Sequence, residues 1–175
     1  MPGYVIHLAV AEEYLRKQKK VKENYNDFIE GVIYPDSVTD KSLTHYGQKS
    51  SLANLYNFLK ENDLKDSFKR GYFLHLLTDY LFYNKYLDRC SKDIYNDYDI
   101  LYKELIEKYK VKLPEKIKKY VFFKDNLDGL QLKILTYVLA CKLIDDISNM
   151  QLDDIAKDVL ENPEKWTKFK SYCSD

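Results

Sequence analysis

From Tyr4 onward, apolar side chains return every third or fourth position, the period of an α-helix rather than of a strand. Val5, Leu8, Ala9, Glu12 and Leu15 predict a first helix over residues 4–19, with one mostly apolar stripe turned inward. A second helix is expected over residues 23–33, ending before Pro35, whose ring disfavours helical backbone at Tyr34. Residues 36–47 read as a loop rich in Ser, Thr and Asp. Leu52, Leu55, Tyr56 and Leu59 then mark a third helix over residues 50–61.

The segment GYFLHLLTDYLFYNKYL is apolar nearly all round, which predicts a central buried helix starting at Leu64 or Ser67 and ending at Leu87. A fifth helix is expected over residues 92–110, a short sixth with Pro114 at its first position, and a long one over residues 128–149. Two short helices close the chain, the last near Pro163. Five glycines and four prolines are too few for the turns of a many-stranded sheet. With no repeat, low-complexity stretch or linker, the pattern predicts one all-α domain.

A chain of 175 residues can bury a core of its own without disulfides or a metal. Cys90, Cys141 and Cys173 are scattered and form no CxxC pair, which argues against a zinc ribbon or a disulfide frame and for a reducing compartment. His7 interrupts the first apolar run and Glu12 and Glu13 follow it, so no signal peptide is expected; no run of about 18 apolar residues predicts a membrane span. The expected location is the cytoplasm. Formal net charge is zero, and the one dense basic run, residues 16–22, reads as a solvated helix end, so no stable nucleic-acid partner is expected. The 17 tyrosines suit the rim of a helical core, where a ring is buried and a hydroxyl stays wet.

The chain has three histidines. His75 and Asp79, four apart on the predicted central helix, share one face and could bind one ion or two adjacent ones. Gly71, one turn earlier, removes a side chain and would let another element approach. Asp36 follows Pro35 at the expected end of the second helix, His45 precedes the third, and His7 lies on the first. Each also has a plain reading. His7 can be a hydrogen-bonded core histidine, Asp36 a turn residue holding local amides, His45 a surface residue, and His75 with Asp79 a simple hydrogen-bonded pair. Asp79 is the most demanding, because a buried mid-helix carboxylate needs a cation, a donor or a proton.

Taken in order, MPGYVIHLAVAEEYL, FIEGVIYPDSV, THYG and GYFLHLLTDYLFY resemble the bacterial zinc-dependent phospholipase C family. The family's series is a histidine in the first helix, a Gly-x-x-x-Pro-Asp turn, a Thr-His pair and a Gly-x-x-x-His-x-x-x-Asp helix. Single-strand-specific zinc nucleases are related in fold. The resemblance covers the first half of the chain and implies a helical bundle of the phospholipase C/nuclease type. It implies one ion held by Asp36, His45, His75 and Asp79. A second would be held by His7 with Asp79 bridging, completed in secreted relatives by the first residue's amine and carbonyl. It also implies Asp36 as the base that takes a proton from water. Relatives with three metals add two histidines and a glutamate; no histidine follows Asp79 here, and Tyr83 and Tyr86 occupy that side as expected substrate-facing residues.

The expectation is a metal-dependent phosphodiesterase with one or two zinc ions, iron or manganese being compatible with the same ligands. Its expected partner is a phosphoester small molecule or a phospholipid, with nucleotide-like substrates open. The alternative is a non-catalytic metal-binding helical protein that keeps only the inner site. No Gly-x-Ser-x-Gly elbow, Walker loop or dinucleotide fingerprint supports another chemistry.

Overall fold

The structure, a computed structural model, describes residues 3–170. Cys173 and the first two residues, with the chain-start ligands anticipated for a second ion, lie outside the described residues. Within them the order is α1 (Tyr4–Lys17), α2 (Tyr25–Ser37), α3 (Leu55–Glu61), α4 (Ser67–Leu81), α5 (Ile94–Tyr109), α6 (Glu115–Lys118), α7 (Tyr137–Ser148) and α8 (Leu152–Glu161), with no strand. Side chains of Asn24, Asn54, Asp66 and Thr136 accept from amides three residues on and open α2, α3, α4 and α7. No helix among the described residues is long and apolar enough to cross a membrane.

Two helices form the centre. α4 is buried without a break from Arg70 to Leu81, as its all-round apolar character requires. α1 is buried from Val5 to Glu12 rather than along one stripe, because α2, α4, α5 and α7 all pack against it. α2 lies along α4 through two glycines. A Cβ on Gly31 would fall 1.9 Å from Phe68 O, and one on Gly71 2.0 Å from Phe28 O. The helices therefore meet backbone to backbone, the close approach anticipated at Gly71.

Four element boundaries differ from the sequence pattern by more than two residues. α2 continues through Pro35 to Ser37. A proline this near the end forfeits an amide bond, but side chains take up the last carbonyls. Ser37 Oγ donates to Tyr34 O at 2.7 Å, Thr44 Oγ1 to Pro35 O at 2.9 Å, and Lys41 Nζ to Asp36 O and Val38 O at 2.8 Å. α3 starts at Leu55 because Asn54 caps it and Ser50–Leu52 forms a separate tight turn. α4 stops at Leu81 and widens into a π-helical turn over Phe82–Tyr86.

The expected helix over residues 128–149 begins only at Tyr137. Asp97, fully buried on α5, accepts the amides of Lys133, Ile134 and Leu135 at 2.9, 2.7 and 2.8 Å. One carboxylate gripping three consecutive amides holds that stretch out of helical geometry.

The glycine crossing generates the first prediction. In an ordinary helix interior, Gly→Ala stabilises by about 1 kcal/mol. Gly31→Ala and Gly71→Ala should instead each destabilise by roughly 1–3 kcal/mol, since a methyl placed against facing backbone must push α2 and α4 apart. Urea denaturation monitored by circular dichroism reads the sign; a gain in stability would show that the helices can separate freely.

Candidate metal centre

Four pieces of chain bring the five predicted residues to one point. α1 supplies His7, the last turn of α2 supplies Asp36, the segment before α3 supplies His45, and α4 supplies His75 and Asp79. All five are buried, Asp36 the least at 7% exposure. Asp36 therefore projects from a helix one turn beyond Val32, not from a free turn, and His45 is a core residue rather than a surface one.

Hydrogen bonds at the far side of two rings decide which nitrogen faces inward. His75 Nδ1 lies 2.7 Å from Val32 O, which can only accept, so Nδ1 carries the proton. Thr44 spends its hydroxyl proton on Pro35 O, so it accepts from His45 Nδ1 at 3.0 Å. In the neutral rings both Nε2 atoms are thus lone pairs turned toward Asp79 Oδ2, at 2.9 Å for His45 and 3.3 Å for His75. The two Nε2 atoms are 3.3 Å apart, and Asp36 Oδ1 stands 3.7 and 3.8 Å from them. Orientation of a ligating imidazole by a bond to its other nitrogen is the usual support for a metal site.

Asp79 has two faces. Its Oδ2 meets His45 and His75, while its Oδ1 lies 3.2 Å from His7 Nε2. Asp36 straddles the centre in the same way, with Oδ1 toward His45 and His75 and Oδ2 3.9 Å from His7 Nε2. The His7 and His75 rings stack with centroids 3.7 Å apart. Two groups could each hold an ion, His7 with His75 and Asp79, and Asp36 with His45 and His75.

These residues fit a cation. Both nitrogens of His7 and all four carboxylate oxygens of Asp36 and Asp79 are buried without a hydrogen-bond partner; orphaned groups of this kind are costly. The near contact of His7 with Asp79 lies off the line of a hydrogen bond, and Lys41 Nζ approaches Asp36 Oδ1 only to 3.4 Å. Donors on a tetrahedral ion at about 2.0–2.1 Å stand roughly 3.3 Å apart, a spacing these contacts bracket. Protons relieve the crowding only in part. Burial and the His75 ring hold His7 below the ordinary histidine range, with Asp79 and Asp36 offsetting part of the effect. Burial would also lower His75, but Asp79 and Asp36 outweigh it and raise its pKa. Burial pushes the Asp79 carboxyl up, yet His75, His7 and His45 hold it well below the usual range. These directions favour a charged pair of His75 and Asp79, and they leave His7 and Asp36 without hydrogen-bond partners.

Asp36 also lines a cavity of about 600 Å³, while its carboxylate oxygens are turned inward and buried. Tyr4, Tyr98, Tyr102, Tyr120 and Phe122 form much of its wall. Burial and the charge of Asp36 push the Tyr4 hydroxyl up to about 12, so it stays a donor at neutral pH. Tyr83 and Tyr86 do not line this cavity. Both lie in the π-helical turn, where the Tyr86 hydroxyl donates to Asp146 on α7 at 2.9 Å. Sequence reasoning missed Thr44, Lys41 and the Val32 carbonyl, which act only across the fold. It also missed the α5 tyrosines, although Tyr95, Tyr98 and Tyr102 share a face at three and four residues apart. In comparisons with known proteins, no family model, no curated protein and no solved structure matches the chain.

The divided carboxylate makes Asp79→Asn more severe than Asp36→Asn. Loss of charge between two cations leaves a buried repulsion of several kcal/mol. Asp79→Asn should strip one ion and weaken the other, while Asp36→Asn chiefly weakens one. Calorimetric titration of metal-free protein with zinc reads both, and unchanged stoichiometry and affinity in Asp79→Asn rules out bridging. A pH dependence follows from His75. An ion must displace its proton, so zinc affinity should fall as pH drops through the raised His75 pKa and level off above it. Titrations at several pH values check this sign.

Proposed function

We propose that this chain is a metal-dependent phosphoester hydrolase of phospholipase C-like chemistry, with zinc as its first-choice ion and iron or manganese as substitutes. The observation that carries this reading is a buried three-histidine, two-carboxylate centre beside a tyrosine-lined cavity that Asp36, alone of the five, also lines. The four motifs in series support the same reading.

Bound divalent ions would supply a more acidic water and neutralise charge on a phosphoryl group. The chain's own residues account for the rest. Asp36, a residue of the cavity lining whose carboxylate lies near His7, His45 and His75, would take the proton from water. Val32 O and Thr44 hold His75 and His45 in the one tautomer that offers Nε2. Tyr4 keeps a proton beside Asp36 and can donate to a phosphoester oxygen. The aromatic wall excludes water around an apolar portion of the substrate. The proposed setting is cytoplasmic.

One observation favours the non-catalytic alternative. The ligand side chains are nearly closed from solvent, as in structural metal sites, and no histidine follows Asp79.

Elemental analysis and turnover of bis(p-nitrophenyl) phosphate and phosphatidylcholine, each with and without added zinc, test the proposal. One or two equivalents of metal and zinc-dependent turnover are expected, lost by orders of magnitude in Asp36→Asn with helicity intact. Absence of bound metal after zinc incubation rejects the centre. Bound metal with no turnover, together with helicity lost in His45→Ala, selects the structural role.

A further inference from the structure

The mouth of the cavity carries a surface unlike the rest of the chain. Residues 116–124 read KIKKYVFFK: four lysines, three aromatic rings, two β-branched aliphatics and no carboxylate. Ile117 and Val121 are buried and line the cavity, anchoring the segment. Lys124 fastens it to α5, its amide donating to Asp99 O at 3.2 Å and its Nζ to Asn96 Oδ1 at 2.8 Å. The remaining side chains turn outward. Phe122 is 66% exposed, Tyr120 56% and Phe123 42%, and Leu127 and Leu130 extend the apolar surface beyond them.

Exposed phenylalanines side by side at the edge of a cavity are costly in water and mark an interaction surface. Lys118 and Lys119 are also exposed, and Lys119 Nζ sits 4.9 Å from the Tyr120 ring centroid. Lys116 pairs with Glu30 and Lys118 with Glu115 at the surface, so these two carry part of their charge internally. Aromatic rings flanked by lysines fit the boundary of an anionic bilayer, where rings enter the acyl region and ammonium groups stay among headgroups. Leu127, Leu130 and the paired phenylalanines favour a bilayer over a nucleic acid, since leucine side chains offer no face for stacking bases.

We propose that residues 116–124 dock this chain on the surface of an anionic phospholipid bilayer, with the cavity mouth against the membrane. Tyr120 and Phe122 belong to both the docking surface and the cavity wall, so a lipid headgroup rising from the bilayer would meet the cavity that Asp36 helps to line. The lipid as substrate rests on the proposed hydrolase reading; the docking itself does not.

Co-sedimentation of the full chain with vesicles tests the docking. One set is pure phosphatidylcholine and the other has about one third phosphatidylserine; a fluorescent oligouridylate is a third arm. Binding is expected to the anionic vesicles. It should weaken about tenfold or more in the double variant Phe122→Ser/Phe123→Ser. In Lys118→Glu/Lys119→Glu the preference for phosphatidylserine should vanish. Val138→Ser, at an apolar side chain 77% exposed on α7, should bind as the parent does. Absence of vesicle binding, or binding unchanged in both double variants, overturns the proposal, and so does oligouridylate binding lost in the same variants. Metal-free protein should still bind vesicles, so a failed metal centre and a failed docking surface give different results.

Discussion

Everything at the centre depends on how closely α2 can lie on α4. Gly31 and Gly71 each face backbone of the opposite helix at a distance no Cβ could occupy. That closeness has a direct chemical result. Val32, next to Gly31, presents its carbonyl to His75, one turn after Gly71, at 2.7 Å. One more turn along each helix come Asp36 and Asp79. A pair of helices at the ordinary 8–10 Å separation would draw the Val32 carbonyl away from His75 Nδ1. The glycines set the interaxial distance, and the distance sets the ligand geometry.

The cost of the centre explains the arrangement around it. Two carboxylates and three imidazoles, taken out of water, oppose folding unless each is compensated. Compensation is built on the outer side of the rings, where Val32 O, Thr44 and Pro35 O hold protons away from the centre. On the inner side lone pairs converge, and His7 Nε2 and the four carboxylate oxygens lack hydrogen-bond partners, as does the outer Nδ1 of His7. Such an arrangement could hold a cation. Lys41 adds to this. It binds the carbonyls of Asp36 and Val38 and compensates the negative end of α2 just where a carboxylate must be tolerated.

The second half of the chain contributes no ligand to the centre but shapes its approach. Asp97 holds residues 133–135 out of helical geometry against α5. The tyrosines of α5 and the segment after α6 line a cavity together with Asp36, and its rim is basic and aromatic. Depth and entrance are thus made by different parts of the sequence.

Much of the centre is legible in the sequence because its determinants are local. The three- and four-residue period identified every major helix, and the four-residue spacing of His75 and Asp79 put both on one face whatever they packed against. Gly71 announced a close approach by having no side chain. Order and spacing of the motifs named all five residues. Tertiary structure decided what local pattern could not. Pro35 is accommodated inside α2 because Ser37, Thr44 and Lys41 reach back to its carbonyls. Residues 128–136 leave their helical pattern because a buried carboxylate 36 to 38 positions away captures three amides. Tyr83 and Tyr86 fall in a π-helical turn at the end of α4 and are not among the cavity lining. Helix period and spacing are properties of neighbouring residues; capping by distant side chains, tautomer choice and cavity walls depend on groups that only the folded chain brings together.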